Sequence, residues 1–386
     1  MEAYMKEYFE KLVTADDMIY DRFRKKESLN GHWHYAVDQY DTCIRAKWYE
    51  EHYYDEEGNS LPVDFSFDEW EMMTLPCCFN TFSDLYKLYD GSMIFTRKFL
   101  YARQKDDERM ILKIGAANYL CRVFLNKKYV GMHRGSSTPC YFDLTDLLKH
   151  ENRILIQVDS TRRNNQVPAL DTDWFNYGGI YRDVNLLILD KAHFDYDYFG
   201  ALPIKIDPVV LNNEGKVVVE AFTKSNKDIV IEIYDAENNL IKTAKNKEEI
   251  IINNPHLWNG KKDPYLYVAK AKLIDNDKII DEVSHQFGFR TFNYDSKKGF
   301  FLNGVSYPLR GVSRHQDRLL KGNAISKEDQ EEDMNLILDI GANTVRLAHY
   351  QHDDYFLDLC DKYGLVVWAE VPYISKHMPN AKDNIE

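Results

Sequence analysis

The most extended feature of the sequence is a long series of short β-prone segments. From about Asn30 to Arg290, stretches rich in Val, Ile, Leu, Phe and Tyr alternate with turn residues, and no long helical pattern interrupts them. Several short strands without intervening helices are typical of sheets that pack face to face. The sequence therefore predicts β-sandwich structure over most of its length.

The β series divides into two parts. Up to Asp190, segments such as "SMIFTRKFLY", "NRILIQVDS" and "IYRDVNLLILD" indicate a sandwich or jelly roll. Between Ala192 and Arg290, about seven alternating segments in roughly 100 residues have the size and spacing of an immunoglobulin-like sandwich. This second part carries no informative cluster of reactive side chains, and we expect it to act as a spacer. The first twenty-odd residues have a helical pattern.

The pattern changes after residue 300, where strands and helices begin to alternate. Asn303-Gly304 between apolar runs predicts a type I′ hairpin. Two helices, with capping residues at Ser326 and at Asp353 or Asp354, lie between three strands that include "PLRGV", "NTVRLA" and "LVVWAEVP". This β-α-β-α-β order with short connections predicts the beginning of a parallel α/β domain.

Polar side chains gather where these three strands end. They are Arg314, His315 and Asp317 after the first strand, Arg346 and His349 at the second, and Glu370 at the third. In a parallel α/β barrel the carboxyl ends of the strands form the face where substrates bind. We therefore expect these residues to form the floor of a pocket.

Metal binding, a serine nucleophile and phosphate binding are less well supported by the sequence. A metal site of His349, His352 and Asp353 is not expected, because the histidine pair straddles a strand-to-helix turn and has no convincing further ligands. Asp353 and Asp354 fit helix capping instead, and His352 is interpreted as a solvated loop residue. The segment "GSSTPC" lacks the pattern of a nucleophile elbow and is interpreted as a turn. The sequence contains no phosphate-binding glycine loop.

The net charge and the cysteine content of the chain restrict its expected binding partners and cellular location. A formal charge of −13 without a basic stripe disfavours nucleic acid. No apolar run approaches the roughly 18 residues of a membrane span, and "MEAYMKEYFEKLV" lacks the apolar core of a secretory signal, so no membrane partner is expected. The six cysteines form no CxxC pair or regular framework, and we expect reduced thiols in a cytoplasmic protein.

Six blocks of the sequence, in this order, resemble the glycoside hydrolase family 2 enzymes, which include β-galactosidases and β-glucuronidases. The blocks are "SLNGHWHY", "LNKKYVGMHRGSSTPCYFDLT", "DTDWFNYGGIYRDVNL", "FGFRTF", "LRGVSRHQDR" and "GANTVRLAHYQHDDYFLDLCDKYGLVVWAEVPY". They cover nearly the whole chain after about residue 28. The resemblance implies a multidomain fold: a jelly-roll sugar-binding domain at 1–190, an immunoglobulin-like β-sandwich at 191–291 and the first part of a (β/α)8 TIM barrel at 292–386. It also leaves room for a homo-oligomer, which is common in the family.

The resemblance further implies which residues bind the substrate. Asp173 of "DWFNYGG" matches the aspartate that reaches from the first domain to hydroxyls of the sugar. His315 and His349 match two histidines that line the subsite of the hydrolysed sugar, and Arg346 matches a position near the catalytic carboxylates. Imidazole and carboxylate supply both the donors and the acceptors that hydroxyls need. No cofactor is expected, and no metal either, because Ile374 stands where magnesium-binding members have a glutamate.

The catalytic pair of the family has no counterpart in this sequence. Retaining enzymes of this kind use two glutamates about 5 to 5.5 Å apart, one as acid/base and one as nucleophile. In the family they follow the fourth and seventh barrel strands, beyond Glu386, so no catalytic residue is expected within this chain. The chain is expected to be part of a longer polypeptide and inactive by itself.

The expected function of the complete protein is that of a retaining exo-β-glycosidase. "FNYGG" is similar to β-glucuronidases, whereas "RHQD" and "WAEVPY" are similar to β-galactosidases, so the terminal sugar stays open between galactose and glucuronate. Two alternatives also stay open. The chain is a noncatalytic carbohydrate-binding fragment, or two of Asp173, Asp317 and Glu370 form the catalytic pair of a different hydrolase.

Overall fold

The computed structural model describes residues 24–63 and 65–381. The helical pattern of the first twenty-odd residues lies outside this range. The chain forms two compact units. The first unit contains Lys25–Lys191, Gln316–Ile325 and, among the described residues, 371–381. The second unit contains Arg24, Ala192–His315 and Ser326–Glu370.

The first unit is built on two antiparallel sheets. Its strands are β1 (Lys25–Ser28), β2 (Gly31–Val37), β3 (His52–Tyr54), β4 (Ser60–Pro62), β5 (Met72–Leu75), β6 (Cys77–Cys78), β7 (Ser92–Leu100), β8 (Arg109–Ile114), β9 (Ala117–Asn118), β10 (Leu120–Leu125), β11 (Lys128–Arg134), β12 (Cys140–Asp143), β13 (Glu151–Asp159), β14 (Gly179–Ile180) and β15 (Val184–Leu189). One sheet has the order β1-β15-β8-β12 and the other β11-β10-β13-β7-β2-β5, and two smaller sheets have the orders β6-β14-β9 and β3-β4. Two short helices, α1 (Thr42–Arg45) and α2 (Phe79–Phe82), and four 3₁₀ turns lie between strands: Trp48–Glu50, Phe67–Glu69, Asp84–Tyr86 and Thr145–Leu147.

The inward faces of these sheets share one apolar core. Trp33, Phe95 and Val123 are completely buried in it. The Trp33 indole N–H donates to the carbonyl of Leu29 over 2.8 Å, so the largest core side chain carries no unpaired polar group. The β-sandwich predicted for this part of the chain is confirmed.

The segment Gln316–Ile325 also packs in the first unit, although it is far from the sandwich in sequence. The Arg182 guanidinium donates to the side-chain oxygen of Gln316 over 3.0 Å. Gly322 has a φ of +55° and lies against the ring of Tyr177. A side chain at this position would collide with that ring, so close packing fixes the segment.

Seven strands form the immunoglobulin-like part of the second unit, as predicted. They are β16 (Ile204–Leu211), β17 (Glu214–Ala221), β18 (Asp228–Tyr234), β19 (Leu240–Lys245), β20 (Glu249–Asn253), β21 (Tyr267–Asp275) and β22 (Lys278–Phe287), with a 3₁₀ turn at Gly260–Lys262. The sheets have the orders β16-β17-β20 and β19-β18-β21-β22. In β17, Val217, Val219 and Ala221 are buried while their neighbours are not, which is the alternation that a sheet with one packed face requires.

The remainder of the second unit begins with a small antiparallel sheet and continues as a parallel one. Its elements are β23 (Phe292–Asp295), β24 (Gly299–Leu302), β25 (Val305–Ser306), β26 (Gly311–Arg314), α3 (Lys327–Asp339), β27 (Thr344–Leu347), α4 (Asp354–Tyr363) and β28 (Val366–Ala369). Strands β26, β27 and β28 pair in parallel in that order. The predicted start of a parallel α/β domain is confirmed.

The predicted hairpin and caps are also present. Asn303 and Gly304 have φ values of 50° and 77°, as a type I′ turn requires. Ser326 accepts a hydrogen bond from the Asp329 amide, and the Asp329 side chain accepts from the Ser326 amide, so α3 starts with a complete capping box. Asp353 caps α4 by accepting from the amide of Tyr355.

Two glycines that follow helices provide a test of how tightly the second unit is packed. Gly341 and Gly364 have φ values of 79° and 75°. A Cβ atom at Gly341 would enter open space, whereas one at Gly364 would lie inside van der Waals distance of the Gly260 carbonyl group. We expect Gly341→Ala to cost about 1–2 kcal/mol through backbone strain.

Gly364→Ala should cost about 1–3 kcal/mol more than Gly341→Ala, because the added methyl group overpacks the contact with Gly260. Chemical denaturation of both variants, followed by tryptophan fluorescence, measures the difference. Equal losses of stability would show that the contact between the two backbones does not constrain the fold.

Candidate functional site

The parallel sheet brings together the polar residues that follow its strands. In the register, Arg346 of β27 lies between Ser313 of β26 and Trp368 of β28. His349 follows β27 and Glu370 follows β28, so both lie at the same edge of the sheet as the Arg346 side chain. The predicted convergence at the carboxyl ends of the strands is therefore present in the second unit.

Glu370 is the centre of this group. The Arg346 guanidinium donates to it from two nitrogens, Nε to Oε1 over 2.7 Å and Nη2 to Oε2 over 3.2 Å. The Nδ1 atom of His349 lies 2.9 Å from Oε2. A two-pronged contact of this kind fixes the plane of the carboxylate as well as its position.

The neighbours of Glu370 keep it ionised. Partial burial opposes the charge, but the hydrogen bonds from Arg346 and His349 outweigh burial and hold the pKa of Glu370 below its usual value. An ionised carboxylate can only accept hydrogen bonds. Nδ1 of His349 lies 2.9 Å from Oε2 of Glu370 and 3.1 Å from Nη2 of Arg346. We assign the proton to Nδ1, because the carboxylate is the shorter contact and an unprotonated Nδ1 would turn its lone pair towards a negatively charged oxygen.

This arrangement sets what the His349 ring can do. In the neutral ring with Nδ1 protonated, Nε2 is a hydrogen-bond acceptor, and in the protonated ring it is a donor. The side chain of His349 is 11% exposed and that of Arg346 is 41% exposed. The group is therefore a fixed polar surface with an exposed edge, suited to bind a ligand with hydroxyl groups.

His315 lies beside His349. The two rings make an edge-to-face contact with centroids 5.2 Å apart. The Nδ1 atom of His315 is 3.4 Å from the hydroxyl of Tyr350, which is buried. The structure thus brings together His315, Arg346, His349 and Glu370, all of which were expected at the floor of the pocket.

Asp173 belongs to the first unit, on an exposed loop that a partly buried arginine supports. Arg162 donates from Nε to the side-chain oxygen of Asn176 over 2.9 Å and from Nη1 to the carbonyl of Ala169 over 3.1 Å. Its guanidinium also lies over the Trp174 ring, 5.9 Å from the centroid. Arg162 therefore holds both ends of the loop that carries Asp173.

The interpretation of His352 as a solvated residue is wrong. Only 5% of His352 is exposed. Its Nδ1 atom lies 3.0 Å from Nη1 of Arg314, and its Nε2 atom lies 2.9 Å from the carbonyl oxygen of Ala348. The physical reason is that the turn after β27 directs the ring inward, towards the buried Arg314 side chain, rather than out to solvent.

The position of Glu370 directly after the third strand predicts its place at the strand ends, but no pattern in the sequence shows that it pairs with both Arg346 and His349. Asp317, which was grouped with these residues, is exposed and lies in the segment that belongs to the first unit.

The described residues show no grouping of three His, Cys, Asp or Glu side chains that could hold a metal ion. None of the described helices is long and apolar enough to span a membrane. The six cysteines are free thiols, and burial raises the pKa of Cys43 to about 12 and that of Cys77 to about 11. Neither thiol is activated as a nucleophile.

Three family models match the chain one after another. Residues 26–190 match the sugar binding domain of the glycosyl hydrolases family 2, residues 204–290 match a second model of the same family, and residues 295–386 match its TIM barrel domain. The matched ranges follow the order of the sandwich, the immunoglobulin-like sheets and the parallel sheet.

Individual relatives are similar to most of the chain. A β-glucuronidase from Bacteroides fragilis is 36% identical over 72% of this chain and 43% of its own length. A β-galactosidase from Thermoanaerobacter pseudethanolicus is 30% identical over 82% of this chain and 44% of its own length. The crystal structure of an FMN-binding β-glucuronidase from Facaelibacterium prausnitzii L2-6 has a TM-score of 0.80 and 30% identity, covering 95% of this chain and 55% of that one. The chain thus spans about half the length of these relatives.

The charge of Glu370 predicts a pH effect on stability. Because the pKa of Glu370 in the folded protein lies below the usual 4.5, its ionised form stabilises the fold above pH 4.5, and this contribution is lost as the pH falls through the lowered value. Glu370→Gln should therefore lower stability at neutral pH and flatten the loss of stability below pH 4.5. Urea denaturation at a series of pH values measures both effects.

The exposed Glu56 provides the control. Glu56→Gln should leave the curve of stability against pH unchanged. A Glu370→Gln protein with the same curve as the wild type would contradict the ion pairs described above.

Proposed function

Because the chain belongs to glycoside hydrolase family 2, we propose that it is part of a retaining exo-β-glycosidase that hydrolyses terminal β-D-galactosides or β-D-glucuronides. The observation that carries the proposal is the convergence of Arg346 and His349 on an ionised Glu370, with His315 against the His349 ring, at the carboxyl ends of three parallel strands. Relatives named β-glucuronidase and relatives named β-galactosidase support the two sugars.

The proposed substrate-binding residues are Asp173, His315, Arg346 and His349. The Nε2 side of the His349 ring and the partly exposed ring of His315 offer acceptors or donors to the hydroxyls of a sugar. Hydrogen bonds to sugar hydroxyls that strengthen as the ring flattens would lower the barrier as well as bind the substrate. Asp173, on its supported loop in the first unit, would contribute a carboxylate to a sugar hydroxyl.

Glu370 is a poor candidate for the catalytic acid or nucleophile. A general acid needs a raised pKa, whereas the pKa of Glu370 is lowered. As a nucleophile its oxygens would have to give up hydrogen bonds to Arg346 and His349. We assign Glu370 to the orientation of these two residues, and we propose that the catalytic glutamates belong to the part of the relatives' length that this chain does not span.

The proposed domain limits are 1–190 for the jelly-roll sugar-binding domain, 191–291 for the immunoglobulin-like sandwich and 292–386 for the first part of the TIM barrel. The location proposed from cysteine usage is the cytoplasm, and the free, unactivated thiols agree with a reducing environment.

A panel of chromogenic β-glycosides, assayed with the full-length protein, tests the proposed reaction and identifies the sugar. Turnover of the β-galactoside or the β-glucuronide supports the proposal. Turnover of neither, by folded protein, would contradict it.

A second candidate is a noncatalytic carbohydrate-binding protein, favoured by the match of residues 26–190 to a sugar binding domain. Calorimetric titration with galactose and with glucuronate distinguishes the two candidates. Measurable affinity without turnover of any glycoside in the panel would favour the second.

Loss of the His349 ring should impair catalysis severely. We expect His349→Ala in the full-length protein to lower kcat/KM by about two to four powers of ten, the range found when a hydrogen bond in the transition state is lost. Steady-state kinetics on the best glycoside of the panel measures the change. His150→Ala, which removes an exposed histidine of the first unit, is the control and should retain wild-type kinetics. Wild-type kinetics in His349→Ala would overturn its assignment.

Loss of the Asp173 charge should weaken binding of the sugar. Asp173→Asn keeps the size of the side chain but removes its charge, and we expect kcat/KM to fall by about tenfold to a hundredfold, the loss typical of a hydrogen bond to a charged group. Asp171→Asn changes an equally exposed aspartate of the same loop and should have little effect. Similar kinetics for the two variants would remove Asp173 from the site.

A further inference from the structure

We propose that the buried His352 is a positioning residue that holds the rings of both His349 and His315 in place; this inference rests on the proposed function. His352 is 5% exposed and touches neither Glu370 nor Arg346 in any hydrogen bond described above. It acts through the two contacts of its ring nitrogens and through the stacking of its face.

The partners of His352 determine its protonation pattern. An arginine nitrogen can only donate, so Nδ1 of His352 accepts from Nη1 of Arg314 over 3.0 Å. A carbonyl oxygen can only accept, so Nε2 carries the proton and donates to Ala348 over 2.9 Å. His352 is therefore the neutral ring protonated at Nε2, with both nitrogens in use.

Arg314 is a rigid support for this ring. Its guanidinium donates from Nε and Nη2 to one oxygen of Asp333, over 2.9 and 2.7 Å. It also lies 3.8 Å from the centroid of the Phe356 ring, within α4. The guanidinium that donates to Nδ1 of His352 is therefore held in place by residues of β26, α3 and α4.

The hydrogen bond to Ala348 connects His352 to His349. The carbonyl group of Ala348 belongs to the peptide that leads into His349. The amide of Ala348 donates to the carbonyl of Arg314 over 3.0 Å, so this residue is held through its N–H by the backbone and through its C=O by His352. The direction in which the His349 side chain leaves the backbone depends on that peptide.

The face of the His352 ring connects it to His315. The rings of His352 and Tyr350 stack with centroids 5.4 Å apart. Tyr350 in turn packs against His315, with centroids 5.9 Å apart and the hydroxyl 3.4 Å from Nδ1. One buried ring thus supports the two histidines that are proposed to bind the sugar, each by a separate route.

Two substitutions separate the contacts of His352. In His352→Gln the side-chain amide can reach the position of Nε2 and still donate to Ala348. In His352→Asn the shorter side chain can replace Nδ1 as the acceptor for Arg314 but cannot reach Ala348. We expect His352→Asn in the full-length protein to lower kcat/KM by about tenfold to a hundredfold, as displaced binding groups typically do, and His352→Gln to recover most of the loss.

Ile337→Ala is the control for general destabilisation. Its side chain is buried in the apolar core of the second unit and is part of none of the hydrogen bonds and ring contacts given above for the three histidines. We expect it to lower the unfolding midpoint while leaving kcat/KM within about threefold of the wild type at a temperature where it stays folded. An equal loss in Ile337→Ala, or equal losses in the Asn and Gln variants, would overturn the inference.

Crystal structures of the two His352 variants give a readout that does not depend on turnover. The contact between His349 Nδ1 and Glu370, 2.9 Å in the wild type, should lengthen in His352→Asn and persist in His352→Gln. If the wild-type protein hydrolyses no β-glycoside, the proposed function fails, and these structures still decide the inference. An unchanged His349 ring in His352→Asn would overturn it.

Discussion

The parallel pairing of β26, β27 and β28 is the constraint on which the site depends. A parallel sheet aligns the carboxyl ends of its strands, and the register places Arg346 between Ser313 and Trp368. Residues that are far apart in sequence therefore meet where the strands end. The helices α3 and α4 serve this arrangement, because their caps fix where the chain enters and leaves each connection.

Two histidines three positions apart carry their protons on different nitrogens. His349 donates from Nδ1 because an ionised Glu370 faces that atom, whereas His352 donates from Nε2 because a carbonyl oxygen faces it and an arginine faces the other nitrogen. The electrostatic difference comes entirely from the partners. As a result, Nε2 of His349 can bind a ligand, whereas both ring nitrogens of His352 bind groups of the protein.

Much of the fold could be predicted from local patterns. The alternation in β17, the Asn303–Gly304 turn and the capping box at Ser326 are each decided by a few neighbouring residues, so the sequence contains the necessary information. The grouping of His315, Arg346 and His349 could also be predicted, because parallel strands bring their ends together. The assignment of these residues and of Asp173 to sugar binding stays a prediction.

The burial of His352 and the pairing of Glu370 could not be predicted in the same way. Whether a histidine after a strand faces solvent or the core depends on the direction of the turn and on a partner such as Arg314, which lies 38 positions away. The contacts of Glu370 with Arg346 and His349 likewise depend on side-chain directions at two neighbouring strand ends. Such contacts are determined by tertiary packing and cannot be inferred from the spacing of residues in the sequence.

The segment Gln316–Ile325 has a consequence for how the protein can be dissected or recombined. It lies in sequence between β26 and α3 of the second unit, yet it packs in the first unit through Gln316 and Gly322. No single cut in the chain separates the two units. A fragment that starts at β23 would separate this segment from Arg182 and Tyr177. In a chimaera that takes only the sandwich from a relative, the segment would pack against the side chains of that relative. To exchange this domain between relatives, the sandwich has to be transferred together with a ten-residue segment that lies more than a hundred positions downstream in the sequence.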